Sequence, residues 1–268
     1  MDTRKLVFIG GLHRSGTTIL FRSLREHPQI SGFRDTTSPK DEGQHLQTVY
    51  QPARSYGGAG LFGFHDAAYL DESSPLVSEE NRQKLLHEWR PYWDLSRPVL
   101  LEKSLPNLIR SRFLQALFPE SYFIILTRHP IATTLATKKW RPRQLLPQLF
   151  EHWFICYERL QADRKHVKNV FMLQYEQFVN APEVILKQIC NFLDILPMPP
   201  LSQEVRQTTN DKYFCDWQKM EKNFITRYYV RYMVNRFEER ANQFGYSFKQ
   251  LPGQPTPILE NSFALKGR

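Results

Sequence analysis

Short apolar runs alternate with amphipathic stretches over most of the chain. Residues 5–11 (KLVFIGG) form a compact apolar run that ends in two glycines. Behind it, Ile19, Leu20, Phe21 and Leu24 within Thr17–Glu26 have the spacing of an amphipathic helix. Strand, glycine turn and helix open an α/β fold. After a long irregular stretch the alternation resumes. PVLLEK (98–103) predicts a strand, and Leu105 to Leu117 predicts a helix carrying Leu108, Ile109, Phe113, Leu114 and Leu117. SYFIILT (121–127) is continuously apolar, as in a strand covered on both faces of a parallel sheet. Pro130 opens a helix, since proline suits a first helical turn. A longer helix spans 145–161, NVFMLQY (169–175) reads as a strand, and Pro182 opens a helix to Leu193. Residues 218–243 predict one Lys/Arg-rich C-terminal helix bearing Tyr228, Tyr229, Tyr232 and Phe237. Repeated β–α units imply a parallel sheet between helical layers.

Residues 31–97 break the pattern. Gly, Pro, Ser, Asp and aromatics dominate around PARSYGGAGLFGF, and helical periodicity returns only at 78–90. This stretch reads as an insertion with long loops, where substrate contacts often sit. The 268 residues are expected to form a single α/β domain over 1–252, followed by a Pro-rich tail at 253–268.

Composition narrows the class. Apolar residues make up 41% and charged residues 24%, as in folded globular proteins. No window approaches the roughly 20 apolar residues of a bilayer crossing. The apolar stretch of MDTRKLVFIGG is too short for a signal peptide. Cys156, Cys190 and Cys215 are widely spaced with no CxxC, so neither a disulfide framework nor a metal site is expected, and a cytoplasmic location is. Lys plus Arg number 36 against 27 Asp plus Glu, a net charge of +9. That excess suits an anionic partner: nucleic acid, an anionic membrane or a phosphorylated small molecule. The basic residues are spread, with mild concentrations near 138–143 and 227–240, rather than gathered in one stripe. Neither a nucleic-acid nor a membrane partner is therefore expected.

The sharpest local feature is Gly11-Leu-His-Arg-Ser-Gly16-Thr17-Thr18, between the first strand and the first helix. The spacing G-x-x-x-x-G is that of a phosphate-binding loop, in which backbone N–H groups and a helix N-terminus cradle an anion. A triphosphate loop carries Lys after its second glycine; here Thr17 stands there, and the cation lies inside the loop at Arg14. A nucleotide end is expected, but not a magnesium triphosphate.

The segment VFIGGLHRSGTTIL resembles the 5′-phosphosulfate loop of sulfotransferases that use 3′-phosphoadenosine 5′-phosphosulfate (PAPS), in the form found in the bacterial and tyrosyl-protein branches. The resemblance implies a three-layer α/β/α fold like that of the P-loop nucleotide hydrolases, with a central parallel sheet and a loop-rich, helical insertion. It implies that Arg14, Ser15, Gly16, Thr17 and Thr18 clasp the phosphosulfate, with no metal. LTRHPIATTLATKKW (126–140) resembles the 3′-phosphate motif R-x-x-x-x-x-x-x-S through Arg128. The serine position holds Ala136, leaving Thr137, or Thr133 or Thr134, to supply the hydroxyl. MLQYEQFVNAPEVILKQICNFL (172–193) resembles the segment whose tyrosine, here Tyr175, approaches adenine. LLEKSLPN (100–107) resembles an E-K-[ST]-P segment and makes Lys103 the candidate second cation.

Transfer of a sulfuryl group requires a base for the acceptor's proton. Asp35, Glu42 and His45 lie together in GFRDTTSPKDEGQHLQTVY (32–50), with Glu42 preferred by resemblance to the tyrosyl-protein branch and His13 a further candidate. The expected reaction moves sulfuryl from PAPS to a hydroxyl or amine of a small-molecule acceptor, a natural product or sugar, releasing 3′,5′-adenosine bisphosphate (PAP). A small-molecule kinase of the same loop class is the alternative. A non-catalytic nucleic-acid module comes third.

Overall fold

The structure is a computed structural model that describes residues 4–201 and 209–251. Strands β1 (Lys5–Gly11), β2 (Ile30–Gly32), β3 (Val99–Lys103), β4 (Tyr122–Thr127) and β5 (Asn169–Gln174) form one sheet in the order β2-β3-β1-β4-β5. Every neighbouring pair is parallel. The central strand β1 pairs Ile9 with Lys103 on one side and Gly11 with Leu126 on the other. Val7, Phe8, Ile9, Leu101, Phe123, Ile124 and Ile125 are fully buried, which explains the near-continuous apolar runs of these strands.

Helix α1 (Thr17–Leu24) follows β1, and α2 (Glu79–Trp89) lies in the connection between β2 and β3. Helix α3 (Ser111–Leu117) precedes β4; α4 (Pro130–Lys138) and α5 (Leu146–Asp163) separate β4 from β5. After β5 come α6 (Tyr175–Asn180), α7 (Pro182–Leu193), α8 (Asp211–Lys222) and α9 (Arg227–Asn242). Arg240 ties α9 to α5 through Glu151 and Glu158. This is the expected α/β architecture. Among the described residues no helix is long and apolar enough to cross a membrane.

Three local expectations need correction. The predicted insertion, 31–97, begins inside the edge strand β2 (Ile30–Gly32), which pairs with β3. A run of three residues carries too little periodicity to be read as a strand. The predicted helix Leu105–Leu117 is a 3₁₀ turn over Leu105–Ile109 followed by α3, broken at Arg110 with φ −131°. Arg110 is buried and spends Nε on the Ala68 carbonyl and an Nη on that of Gln51, long-range bonds that a continuous helix would misdirect. The predicted helix 218–243 is two helices. Asn223 turns the chain between α8 and α9 by accepting the N–H groups of Ile225 and Thr226 on its side-chain oxygen. The tail 253–268 lies outside the described residues.

The connection between β2 and β3 consists mainly of single 3₁₀ turns anchored to the sheet. Trp89 donates its indole N–H to the Gly43 carbonyl, and Trp93 donates to that of Leu101. The Gly43 and Gln44 N–H groups donate to the Glu102 carboxylate and the Ser104 hydroxyl, which holds this turn against the end of β3.

Candidate active site

Four strand ends converge at the C-terminal edge of the sheet, where open parallel sheets bind ligands. β1 delivers the loop Leu12–Gly16, β3 delivers Lys103, β4 delivers Arg128 and β5 delivers Tyr175. The loop turns sharply, with Arg14 at φ 68° and Gly16 at φ 99°. A Cβ at Gly16 would stand 2.3 Å from the Tyr175 ring, so glycine is required both by conformation and by the close approach. Ser15 is buried; its hydroxyl and its N–H both donate to the Leu12 carbonyl, at 2.7 and 3.1 Å. The first amides of α1 have no intrahelical acceptor and are available to an anion.

A cavity of about 390 Å³ opens above this loop. His13, Arg14, Gly16, Thr17, Thr18, Arg22, Lys40, Glu42, Leu105, Arg128, Trp140 and Tyr175 line it. Its charges are four cations, Arg14, Arg22, Lys40 and Arg128, against the single carboxylate of Glu42. The Arg14 guanidinium and the Lys40 ammonium lie 4.7 and 4.9 Å from the Trp140 ring centroid. Burial lowers the Lys40 pKa, and the positive charges of Lys103, Arg14 and Arg22 add to the effect.

Arg128 is held on several sides by uncharged groups. Nε and one Nη donate to Asn210 Oδ1 at 2.8 and 2.6 Å, and the other Nη donates to the Arg14 carbonyl at 2.6 Å. The guanidinium lies 4.4 Å from the Tyr175 ring centroid. Burial pushes its pKa down. Its nearest carboxylate relay is indirect, since Asn210 Nδ2 donates to Glu176 Oε1 at 2.7 Å and the His129 N–H donates to the same oxygen at 3.0 Å. A buried cation bonded to neutral oxygens is poised for an anionic ligand.

Behind the cavity lies a buried polar cluster. Lys103 Nζ stands 3.0 Å from Glu42 Oε1, and Gln44 Nε2 donates to Glu42 Oε2 at 2.6 Å. The neighbouring carboxylate, Glu102, accepts from the Gly43 N–H, the Ser104 hydroxyl and Asn107 Nδ2. Burial raises the Glu102 pKa to about 7, against the pull of Ser104 and Asn107. Gly43 has no room for a side chain, because a Cβ there would meet Glu102 Oε1 at 2.5 Å. Glu102 thus fixes the turn from which Glu42 reaches the cavity wall. His13 is lowered to about 4 by burial, with Glu42 opposing, and is neutral near pH 7.

Of the residues singled out in the sequence, the structure brings His13, Arg14, Gly16, Thr17, Thr18, Glu42, Arg128 and Tyr175 to this one cavity. Lys103 is fully buried and pairs with Glu42 instead of lining the wall. Ser15 turns its hydroxyl inward. Thr137 donates its hydroxyl to the Thr133 carbonyl and lines a separate small void with His13, Thr134 and His152. Thr133 likewise donates to the Arg128 carbonyl. Asp35 is exposed in a turn at φ 53°. His45 is half-buried off the wall, its pKa lowered by burial. Asn210 and Arg22 carry no sequence signal for a site, and Lys40, Trp140 and Glu102 lie inside the segments 32–50, 126–140 and 100–107 without a role of their own there. Asn210 lies 82 residues from the arginine it holds.

A parallel sheet with an anion loop at its central strand defines a phosphate-loop α/β protein. The sequence model of the sulfotransferase family matches residues 7–199, and the chain belongs to that family. It is a transferase. Among solved structures, the sulfotransferase domain from the curacin biosynthetic pathway is 16% identical, with a TM-score of 0.56 over 94% of this chain and 100% of that one. The sulfotransferase domain of the Synechococcus PCC 7002 olefin synthase is 18% identical, with a TM-score of 0.51 over 80% of this chain and 89% of that one. A sulfotransferase from Mycobacterium avium is 13% identical, with a TM-score of 0.53 over 100% and 79%. At such identities the likeness is one of fold.

Proposed function

We propose that the enzyme transfers a sulfuryl group from PAPS to a hydroxyl or amine of a small-molecule acceptor, a natural product or sugar, releasing PAP. The observation that carries this reading is the cavity at the sheet edge, which the loop with its Arg14, the arginine Arg128 from the end of β4 and the carboxylate Glu42 line together. In this reading the loop amides, Arg14, Thr17 and Thr18 bind the 5′-phosphosulfate. Arg128, held by Asn210, binds the 3′-phosphate, and Tyr175 borders the adenine.

The acceptor oxygen or nitrogen forms its bond to sulfur as the bond from sulfur to the 5′-phosphate oxygen breaks. Glu42 takes the acceptor proton, and the leaving phosphate keeps the electron pair. Positioning the two partners in line supplies much of the rate. Loop amides and cations aimed at the leaving oxygen supply more, about 3 kcal/mol for one well-placed donor. Lys103 acts as the partner that orients Glu42, and as the second cation it adds positive charge behind the wall on which the sulfuryl group moves. With these cations in place the step needs no metal. The reading places the enzyme in a reducing, cytoplasmic setting, from Cys156, Cys190 and Cys215 being odd in number and widely spaced with no CxxC.

Thermal unfolding with ligands tests the donor. PAP should raise the unfolding temperature, whereas magnesium ATP should not, because Thr17 replaces the lysine that a triphosphate needs. A shift with magnesium ATP alone would favour a kinase and overturn the proposal. Turnover of labelled PAPS against sugars, phenols and other metabolites then identifies the acceptor. Glu42→Gln should abolish turnover while PAP still binds, and an unchanged rate at saturating acceptor would remove Glu42 as the base.

A further inference from the structure

The corner between α8 and α9 presents apolar side chains to solvent on a rigid frame. Phe224 is 72% exposed and Ile225 82% exposed, and Tyr228 and Tyr232 on the outer face of α9 are 58% and 48% exposed. The inner face of α9 is satisfied by Val230, Met233, Phe237 and Ala241, all buried. Tyr228 and Tyr232 lie four apart on α9 and so share one face, and Phe224, in the turn before the helix, is joined to them through the Arg227 guanidinium. Asn223 caps the corner, and the Thr226 hydroxyl donates to the Met220 carbonyl at 2.6 Å, so the outward side chains are held in place.

Cations surround these side chains. The Arg227 guanidinium lies 4.8 Å from the Phe224 centroid and 4.9 Å from that of Tyr228, and it donates to the Tyr228 hydroxyl at 3.0 Å. Arg231 lies 6.0 Å from the Tyr228 centroid, and Lys222 is exposed at the end of α8. Among the described residues Lys222, Arg227 and Arg231 have no carboxylate partner, whereas Arg236, farther along α9, pairs with Glu151. An apolar tip, amphipathic rings behind it and unpaired cations around it match the successive layers of an anionic bilayer surface: acyl boundary, headgroup and charged face. Ile225, the most exposed of the group, offers nothing for a nucleic-acid base to stack on.

We propose that this corner docks the enzyme on an anionic lipid surface, with Phe224 and Ile225 entering the headgroup boundary and Lys222, Arg227 and Arg231 meeting the lipid charge. The spread of charge along the sequence argues against a membrane partner; the local arrangement argues for one. Helix α8 separates the corner from Asn210 by about 18 Å, so docking leaves the cavity clear.

Co-sedimentation of the full chain with phosphatidylcholine vesicles, with and without phosphatidylserine, tests this. Binding is expected only with phosphatidylserine and should weaken as salt is raised. Phe224→Ser with Ile225→Ser should weaken it by about a hundredfold, roughly tenfold for each apolar side chain withdrawn. Arg227→Gln and Arg231→Gln should each weaken it about fivefold. Unchanged thermal unfolding and PAP binding in these variants would show that the fold is intact. The proposal fails if the full chain stays in the supernatant, if pure phosphatidylcholine binds as well, or if the variants bind like the wild type. It also fails if ultracentrifugation shows the same variants breaking a dimer, or if they abolish binding to a single-stranded oligonucleotide that strips the protein from vesicles. Those results would assign the corner to a second copy or to nucleic acid.

Discussion

Lys103→Met removes an ammonium group from a fully enclosed position while keeping most of the side chain's volume. Lys103 is 0% exposed and Glu42 9% exposed at their side chains, with 3.0 Å between Nζ and Oε1. At an effective dielectric constant of about 20, charges at that distance attract by about 5 kcal/mol. Most of that attraction offsets the desolvation of the two groups, so the pair adds little net stability, but losing one partner strands the other. Glu42 cannot easily turn to solvent, because Gln44 holds Oε2 and the Ser38 hydroxyl bonds both backbone groups of Glu42. Lys103→Met and Glu42→Gln should each destabilise the fold by about 3–5 kcal/mol in urea unfolding. The double variant should lose at least about 2 kcal/mol less than the sum of the singles. None of the three should regain turnover, which separates stability from catalysis. If the two losses add to within about 0.5 kcal/mol, the ion pair does not exist in solution and Lys103 is free to face the ligand.

Gly16→Ala should lower stability by about 2 kcal/mol or more and abolish PAP binding, since its Cβ would collide with the Tyr175 ring; calorimetry showing normal PAP affinity would contradict the loop geometry. Asn210→Ala should weaken PAP binding about tenfold, because the Arg128 donors lose their shared acceptor; unchanged affinity would show that Arg128 is held without it. Burial lowers His13 to about 4 and both His129 and His152 to about 3, from an ordinary 6.5. The folded state therefore binds fewer protons. The stability tied to these rings is full above pH 6.5 and falls as pH drops toward 4 and below, by up to about 3–5 kcal/mol per ring. Glu102 runs the other way: its pKa of about 7 means that its contribution is full below the ordinary 4.5 and is lost as pH rises through 7. Urea midpoints should therefore climb from pH 4 to 6.5, less steeply above 4.5 because the Glu102 loss runs from there to about 7, and level off beyond 7; Glu102→Gln should steepen the climb between 4.5 and 7, and a flat profile on the acid side would refute the burial of the histidines.

The elements legible in the sequence are those whose pattern is local. β4 and β5 are continuous apolar runs, and α7 has proline at its start and a strong apolar face, so their limits are readable to within about a residue. β2 is too short to show a period, and the breaks at Arg110 and Asn223 depend on hydrogen bonds that a periodicity cannot show. The site divides in the same way. Arg14, Arg128 and Tyr175 are strand-end residues, and strand ends can be read from a sequence. The pairing of Lys103 with Glu42 and the clasp of Asn210 on Arg128 join positions 61 and 82 residues apart, and no local pattern announces them. Thr137 follows from its place beside the serine position of the 3′-phosphate motif, and its hydroxyl donates within α4 to the Thr133 carbonyl, a bond that the motif does not show.

Because β1 lies between β3 and β4, the loop, Lys103 and Arg128 issue from adjacent strands whose spacing, about 4.8 Å per step, is set by backbone hydrogen bonds. Glu42 comes instead from the connection between β2 and β3, attached to that scaffold by a few side-chain anchors such as Trp89 and Glu102. Substitutions along that one connection can thus alter the Glu42 side of the cavity while the strand-borne side keeps its spacing.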